Sequence, residues 1–583
     1  MRNRNTDATI LRPLSRTAKK TDVFPGVPCR HDQGHGLAVV VRSLAALLAL
    51  GSVLLGLSVS WQGRSEAITS PLLFGRYDAA HLEALATDGN VAAFVRSTGD
   101  TRALVIRSLD GPEERVLTVT PGRIDVVTLS GDLVAWQERD CDQCPARVQV
   151  RRWTDGQEVL LARTNDERTP VLWQRWLAWV SRNGHDRVYG ADLSGTQRTV
   201  DVALVGDSAS AIRAIALHEG RLFWLESSPD GPWRISAQPI ASAADATTLL
   251  TGSGPAPAFR VVGDTLITIT DVLTARNALG SGQPIELGRA QSPELVTADD
   301  RYLFWLDPSP AGQSEPALVA FDTQSGSRFI ALPEAGAVDA LAAGGGWLIW
   351  AERTAAGSML WGAPLADLLP TARRSQPQGS DPRWRYVPET GHYLANGFRQ
   401  FWERYGGVEI FGYPISEEFD EFDPQTGQFR TVQYFERARF VWAPAEAAAL
   451  DGVVLDRLGA ELAERLALTH TRAFRVPAAA PFSQVECRRF DATGHLLCGG
   501  FLAAWQRTGE LVRQQSALTD EEAAVRFAGF PISEPIALAD GTIVQYLERA
   551  RLEYRKTADG SGIMERGRIG AELLRERGWL PEG

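Results

Sequence analysis

Lysine is almost missing from this chain of 583 residues: Lys19, Lys20 and Lys556 are the full set. A phosphate-cradling P-loop needs a Gly-Lys pair, and none occurs, which removes that nucleotide-binding class. There is no G-x-S-x-G, no H-E-x-x-H and no G-x-G-x-x-G opening a helix, so the corresponding hydrolase, zinc-protease and dinucleotide signatures are excluded too. Cysteine is scarce at five residues, methionine at three. Uncharged apolar runs of bilayer length are absent from all but one place. What remains is ordinary globular material, 44% hydrophobic and 22% charged, long enough for roughly three to four domains.

The one long apolar run is Ser43 to Ser60, followed by Trp61 at an interfacial position. Eight Arg or Lys against three Asp make residues 1–42 net +5, leaving −16 of the overall −11 for residues 43–583. Basic before and acidic after, the run reads as a membrane anchor over 43–61, with 1–42 cytoplasmic and the bulk outside. A cleaved signal peptide is the rival reading, and it gives a secreted protein. The acidic body argues against nucleic acid as a partner.

The cysteines fit that address. Cys29 precedes the apolar run. Cys141 and Cys144 form a C-x-x-C between strand-like segments, and Cys487 and Cys498 lie eleven apart. Each pair is a candidate disulfide in an oxidising compartment. A zinc site would want two more ligands near Cys141, and the nearest histidine is His185. No metal and no cofactor is expected.

From 71 to 372 a short strand recurs, in most copies ending in an aromatic: Phe94, Trp136, Trp179, Trp224, Thr268 in the fifth copy, Trp305 and Trp350. The intervals of 37 to 45 residues match one four-stranded propeller blade. Other short strands flank each copy, with Gly, Asp, Ser and Pro between them, so helices are excluded. Seven copies predict a closed seven-bladed ring with the aromatics packed between blades. The period and the L-x-x-W strand resemble TolB-like and WD40-like propellers of exported bacterial proteins. The WD40 G-H and W-D dipeptides are missing, and the resemblance implies architecture rather than activity.

Residues 373–382 read as a linker, and a duplicated module follows, at 383–470 and 482–580. Thr390-Gly391-His392 leads to Phe398 and Trp402, and Thr493-Gly494-His495 leads to Phe501 and Trp505. Each copy then gives Gly-aromatic-Pro-Ile-Ser-Glu, at 412–417 and 529–534. A Gln-Tyr-(Phe/Leu)-Glu-Arg-Ala segment follows, and then Arg-(Leu/Ile)-Gly-Ala-Glu-Leu at 457–462 and 568–573. Thr390 and Thr493 are expected to cap a helix whose i, i+4 spacing puts both rings on one face. A hairpin is expected to turn near Glu436-Arg437. The pattern resembles the LGFP-type repeats of bacterial cell-surface proteins. It departs in having Glu-Arg-Ala in the hairpin, and in the second copy lacking the first copy's Gly406-Gly407.

That resemblance implies binding of cell-wall or surface glycan, with His392, Trp402, Glu436, Arg437, His495, Trp505, Glu548 and Arg549 as candidate ligand contacts. Each has a bland counterpart: a histidine fixing its loop, an ion pair in a solvated turn, a core tryptophan. No catalytic residue can be nominated. The expectation is a mainly β envelope protein: one N-terminal transmembrane helix, a seven-bladed propeller as protein or ligand platform, and two small α+β modules. The alternatives are a TolB-like assembly factor that binds only a protein partner, and a carbohydrate hydrolase with carboxylates in the propeller channel.

Overall fold

The computed structural model describes residues 71–582, apart from short stretches at 164, 195–198, 205–209, 229–230, 242–245, 278–282, 309–315, 377–381, 446–449, 478–484 and 558. The apolar run at 43–61, the basic segment before it, Cys29 and part of the 373–382 stretch lie outside the described residues. No described helix is long and apolar enough to cross a membrane.

The 71–372 region is a β-propeller built from seven four-stranded antiparallel units. Six take their strands in chain order, at 81–120, 123–162, 166–204, 211–252, 258–289 and 297–332. The seventh holds three strands from 338–364, and its outer strand, Leu72–Asp78, comes from the other end of the propeller segment. That exchange closes the ring by hydrogen bonds. The first strand of each unit lies beside the first strand of the next, all the way round. Each repeated aromatic sits on a second strand, and Phe94, Trp136, Trp179, Trp224, Trp305 and Trp350 are all buried. A buried indole needs a partner for its N–H. Trp136 donates to Glu138 Oε2 (3.2 Å), Trp179 to Glu167 Oε2 (2.9 Å) and Trp305 to Asp307 Oδ2 (3.2 Å).

Beyond 372 the chain is α+β and continuous with the sixth blade. The blade's outer strand Ser327–Leu332 pairs with Phe419–Asp423 of the first module, aligning Ser327 with Glu421 and Arg328 with Asp420. The sheet thereby reaches eight strands. One hydrophobic cluster runs from blades six and seven (Phe304, Phe329, Trp350) through the first module (Phe419, Leu458) to the second (Ile569, Leu574, Trp579). Trp579 packs edge-on against Phe329 and donates to Asp322 Oδ2 (3.0 Å), while its own carbonyl accepts from Thr371 Oγ1 (2.7 Å).

Charges inside this junction are matched. Glu421 is buried between Arg439 (2.9 Å) and Arg577, with Tyr434 donating to it at 3.0 Å; Arg439 also meets Asp456 (2.5 Å) and Glu461 (2.9 Å). Burial pushes the Glu421 carboxyl up, but the Arg577 and Arg439 guanidiniums outweigh it and hold the carboxyl below the usual glutamate value.

Two measurements follow. Trp579→Ala removes the ring and its bond to Asp322, which keeps Arg301 (2.9 Å), and is expected to cost about 3–5 kcal/mol and to lower the thermal midpoint of propeller and modules together. Glu421 contributes stability fully above about pH 4.3, and that contribution is lost as pH falls through its depressed folded value. Urea unfolding of Glu421→Gln is therefore expected to be weaker than wild type at neutral pH and to converge with it in acid.

Candidate functional site

The two modules use the same residues for the same bonds. In the first, Gly412 has φ 77°, and a Cβ there would collide with the Glu436 side chain; Gly529, at φ 82°, stands in the same relation to Glu548. The carbonyls of these glycines accept the indole N–H of Trp402 (2.9 Å) and Trp505 (3.0 Å). Ser416 Oγ accepts from the Tyr434 amide and Ser533 Oγ from the Tyr546 amide, both at 3.0 Å. Gln433 donates to Tyr393 O (2.7 Å) and Ser416 O (2.9 Å), and Gln545 to Leu496 O (2.7 Å) and Ser533 O (2.8 Å). Glu417 Oε1 lies 3.2 Å from His392 Nδ1 and accepts the Tyr393 amide, as Glu534 Oε1 does for His495 (3.1 Å) and Leu496.

The modules then lock into each other. Helix Ile569–Glu576 of the second presents its first amides to the hairpin of the first: Gly570 N and Ala571 N donate to Glu436 O, at 3.0 and 3.2 Å. Helix Leu458–Arg465 of the first does the converse, with Ala460 N donating to Glu548 O at 3.1 Å. Amides at a helix start have no partner within the helix, so a facing carbonyl satisfies them. Each hairpin comes close enough that only glycine fits. A Cβ on Gly459 would strike the Leu547 and Ala550 carbonyls, and one on Gly570 the Phe435 carbonyl. The ion pairs cross too, Arg457 to Glu548 (2.9 Å) and Arg568 to Glu436 (3.5 Å).

Of the eight nominated ligand residues, Glu436, Arg437, Glu548 and Arg549 are half-buried and take part in this lock. His392, His495, Trp402 and Trp505 are buried, with the partners given above. Arg437 donates to Arg566 O (3.1 Å) and Val408 O (2.7 Å), and Arg549 to Leu455 O, so both guanidiniums tie their hairpin to the other module. Thr390 and Thr493 do not cap the following helices. They lie in the turn before the strands His392–Ala395 and Leu496–Cys498, and the N-cap positions are Ala395 and Cys498. Phe398 and Trp402 do share the buried face of helix Asn396–Arg404, and the chain does turn at 435–438. Both cysteine pairs are bonded, Cys141–Cys144 in the loop between two strands of blade two and Cys487–Cys498 across a two-strand hairpin.

Two sets of surface groups escape the sequence pattern. Trp442 is 36% exposed and lies over Gly397 and Gly452, where a Cβ would meet its ring. Among the described residues it is the one large exposed aromatic. The other set is a series of charged residues at one mouth of the propeller, one residue past the position paired with the second strand's end. Among the described residues no group of three His, Cys, Asp or Glu could hold a metal.

No protein-family profile matches the chain, and neither does any curated protein. Solved structures match in part. A prolyl endopeptidase matches at 15% identity over 60% of this chain and 55% of its own, with TM-score 0.42. A puromycin hydrolase matches at 14% over 66% and 61%, TM-score 0.39. The β-propeller domain of the Trilobed protease from Pyrococcus furiosus matches at 12% over 50% and 97%, TM-score 0.37. The chain spans little more than half of the prolyl endopeptidase. At these identities nothing about activity is carried over, and the propeller rests on its own strand order.

The lock makes a direct prediction. Gly459→Ala and Gly570→Ala each force a methyl into a backbone carbonyl and are expected to cost about 1–3 kcal/mol. Gly427→Ala in an open turn strains only its own φ of 70° and is expected to cost less, with thermal melts ranking the three.

Proposed function

We propose that the protein is a non-catalytic binding platform of the cell envelope, held at the membrane by residues 43–61 and exposing its propeller outside the cytoplasm. The observation that carries this reading is the use to which the duplicated motifs are put. Their glycines, histidines, tryptophans and glutamates hold each module together and to its twin, and Phe419–Asp423 and Trp579 join the pair to blade six, so the C-terminal half extends the propeller body as one unit. A rigid body with a ring and a broad rim suits docking of a protein or ligand.

Trp442 favours a second element of the reading, contact with cell-wall or surface glycan. Its benzo ring packs against two glycines and Phe398 while about a third of the residue stays open to solvent, and an exposed indole is the kind of group on which the apolar face of a sugar ring stacks. It adds a solvent-facing aromatic to the residues nominated from the repeat pattern.

Co-sedimentation of the intact, detergent-solubilised protein with insoluble bacterial cell wall tests this. The wild type is expected to pellet, and Trp442→Ala to pellet at least fivefold less. If the wild type stays in the supernatant, glycan binding fails and the protein-docking platform remains.

A further inference from the structure

The first strands of five blades share a position. In each, one residue pairs with the second-strand residue two past the repeated aromatic: Leu82 with Arg96, Ile124 with Glu138, Glu167 with Ser181, Ile212 with Glu226, Val338 with Glu352. The next residue is charged every time: Glu83, Asp125, Arg168, Arg213, Asp339. In blades two, four and seven it is the bulged residue that the ladder skips. First strands begin, and second strands end, at the same mouth of the ring. All five charges therefore surround one opening.

Their order is not mixed. Going round from blade seven, Asp339, Glu83 and Asp125 form an acidic arc over three consecutive blades, and Arg168 and Arg213 a basic arc over the next two. Arg260, on the first strand of blade five, lies further along its strand, opposite Ile267. The acids are each held by arginine from their own blade: Asp339 by Arg353 (2.6 Å), Asp125 by Arg123 (3.0 Å) and Arg139 (3.3 Å), Glu83 by Arg102 (3.9 Å). Such part-exposed pairs are individually weak. The basic side is less compensated. Arg168 meets Asp186 (2.8 Å) and Asp166 (3.4 Å), but among the described residues Arg213 bonds only Ser227 Oγ (2.9 Å), and Arg260 only the carbonyls of Val296 (3.1 Å) and Phe259 (2.9 Å). Among the described residues Arg260 has no carboxylate partner, and burial holds it below its ordinary value. Beside Arg168, Thr169 stands at φ 48° with its hydroxyl enclosed and unpartnered.

We propose that this mouth binds a dipolar peptide segment, its carboxylate end on Arg213 and Arg260 and its cationic end toward Asp339, Glu83 and Asp125. Arginine forks suit carboxylates through paired N–H donors. The acidic arc disfavours a simple polyanion, which would meet like charge across the opening. The proposal rests on the propeller being the binding element, and is independent of Trp442.

The test is fluorescence anisotropy on the intact, detergent-solubilised protein with three labelled hexapeptides: two glutamates at one end and two lysines at the other, all glutamate, and all lysine. The mixed peptide is expected to bind tightest. Arg213→Gln, which gives up one exposed bond to Ser227, is expected to weaken it about tenfold, and Asp339→Asn to weaken it severalfold. Arg507→Gln, paired with Glu409 on the modules, serves as the distant control and is expected to leave it unchanged. Equal binding of mixed and all-glutamate peptides, binding by Arg213→Gln equal to wild type, or binding of none of the three overturns the proposal. A wild type that fails to pellet with cell wall yet binds the mixed peptide keeps this inference and removes only the glycan reading.

Discussion

Everything in the C-terminal half depends on one contact made twice: a hairpin carbonyl received by the first amides of a helix in the other module. Glu436 O faces Gly570 and Ala571, and Glu548 O faces Ala460. Helix starts supply unsatisfied donors, and the turn at Glu-Arg-Ala supplies a free acceptor. Glycine at the second helical position lets backbone meet backbone. Because the contact is reciprocal, neither module completes its own helix start. The pair is the folding unit, and the duplication is what makes it possible.

The lock reaches the propeller through charge and ring packing. Glu421 sits on the strand that joins blade six, yet its partners come from both modules, Arg439 from the first and Arg577 from the second. A carboxylate so enclosed is tolerable only with both guanidiniums in place, which couples the pairing of the modules to their seating on the blade. Trp579 adds the apolar counterpart, with Phe329 on one side and Phe419 on the other. Ring closure by Leu72–Asp78 and this junction fix blades six and seven from two directions.

The blades were legible because a blade is local. The L-x-x-W strand recurs where each second strand must bury an aromatic between neighbours, and Thr268 in blade five still kept the period. The module motifs were legible as a duplication for the same reason. Their meaning was not. Gly459 and Gly570 look like ordinary helix residues until the other module's hairpin is present, and Arg437 reads as a surface charge until Arg566 O stands 3.1 Å away. Spacing reports what a residue's own segment needs, whereas partners 88 to 135 positions distant leave no period. Thr390 and Thr493 misled in the local sense. Threonine before a helical pattern suggests a cap, but a strand of four residues intervenes in the first copy and one of three in the second.

The propeller mouth illustrates the opposite limit. Glu83, Asp125, Arg168, Arg213 and Asp339 stand at one register position, but charges scattered one to a blade carry no sequence signal until the strands are aligned round the ring. Once aligned, their segregation into two arcs makes that opening unlike the rest of an acidic surface.

Native-state hydrogen exchange tests the central claim most directly. If the C-terminal pair and propeller are one body, peptides covering Gly570–Ala571, Ala460 and Phe419–Asp423 will exchange only with the global unfolding that releases blade six, all at one denaturant-dependent rate. If the module peptides open at low denaturant while 317–332 stays protected, the lock is local and the single-body account is wrong.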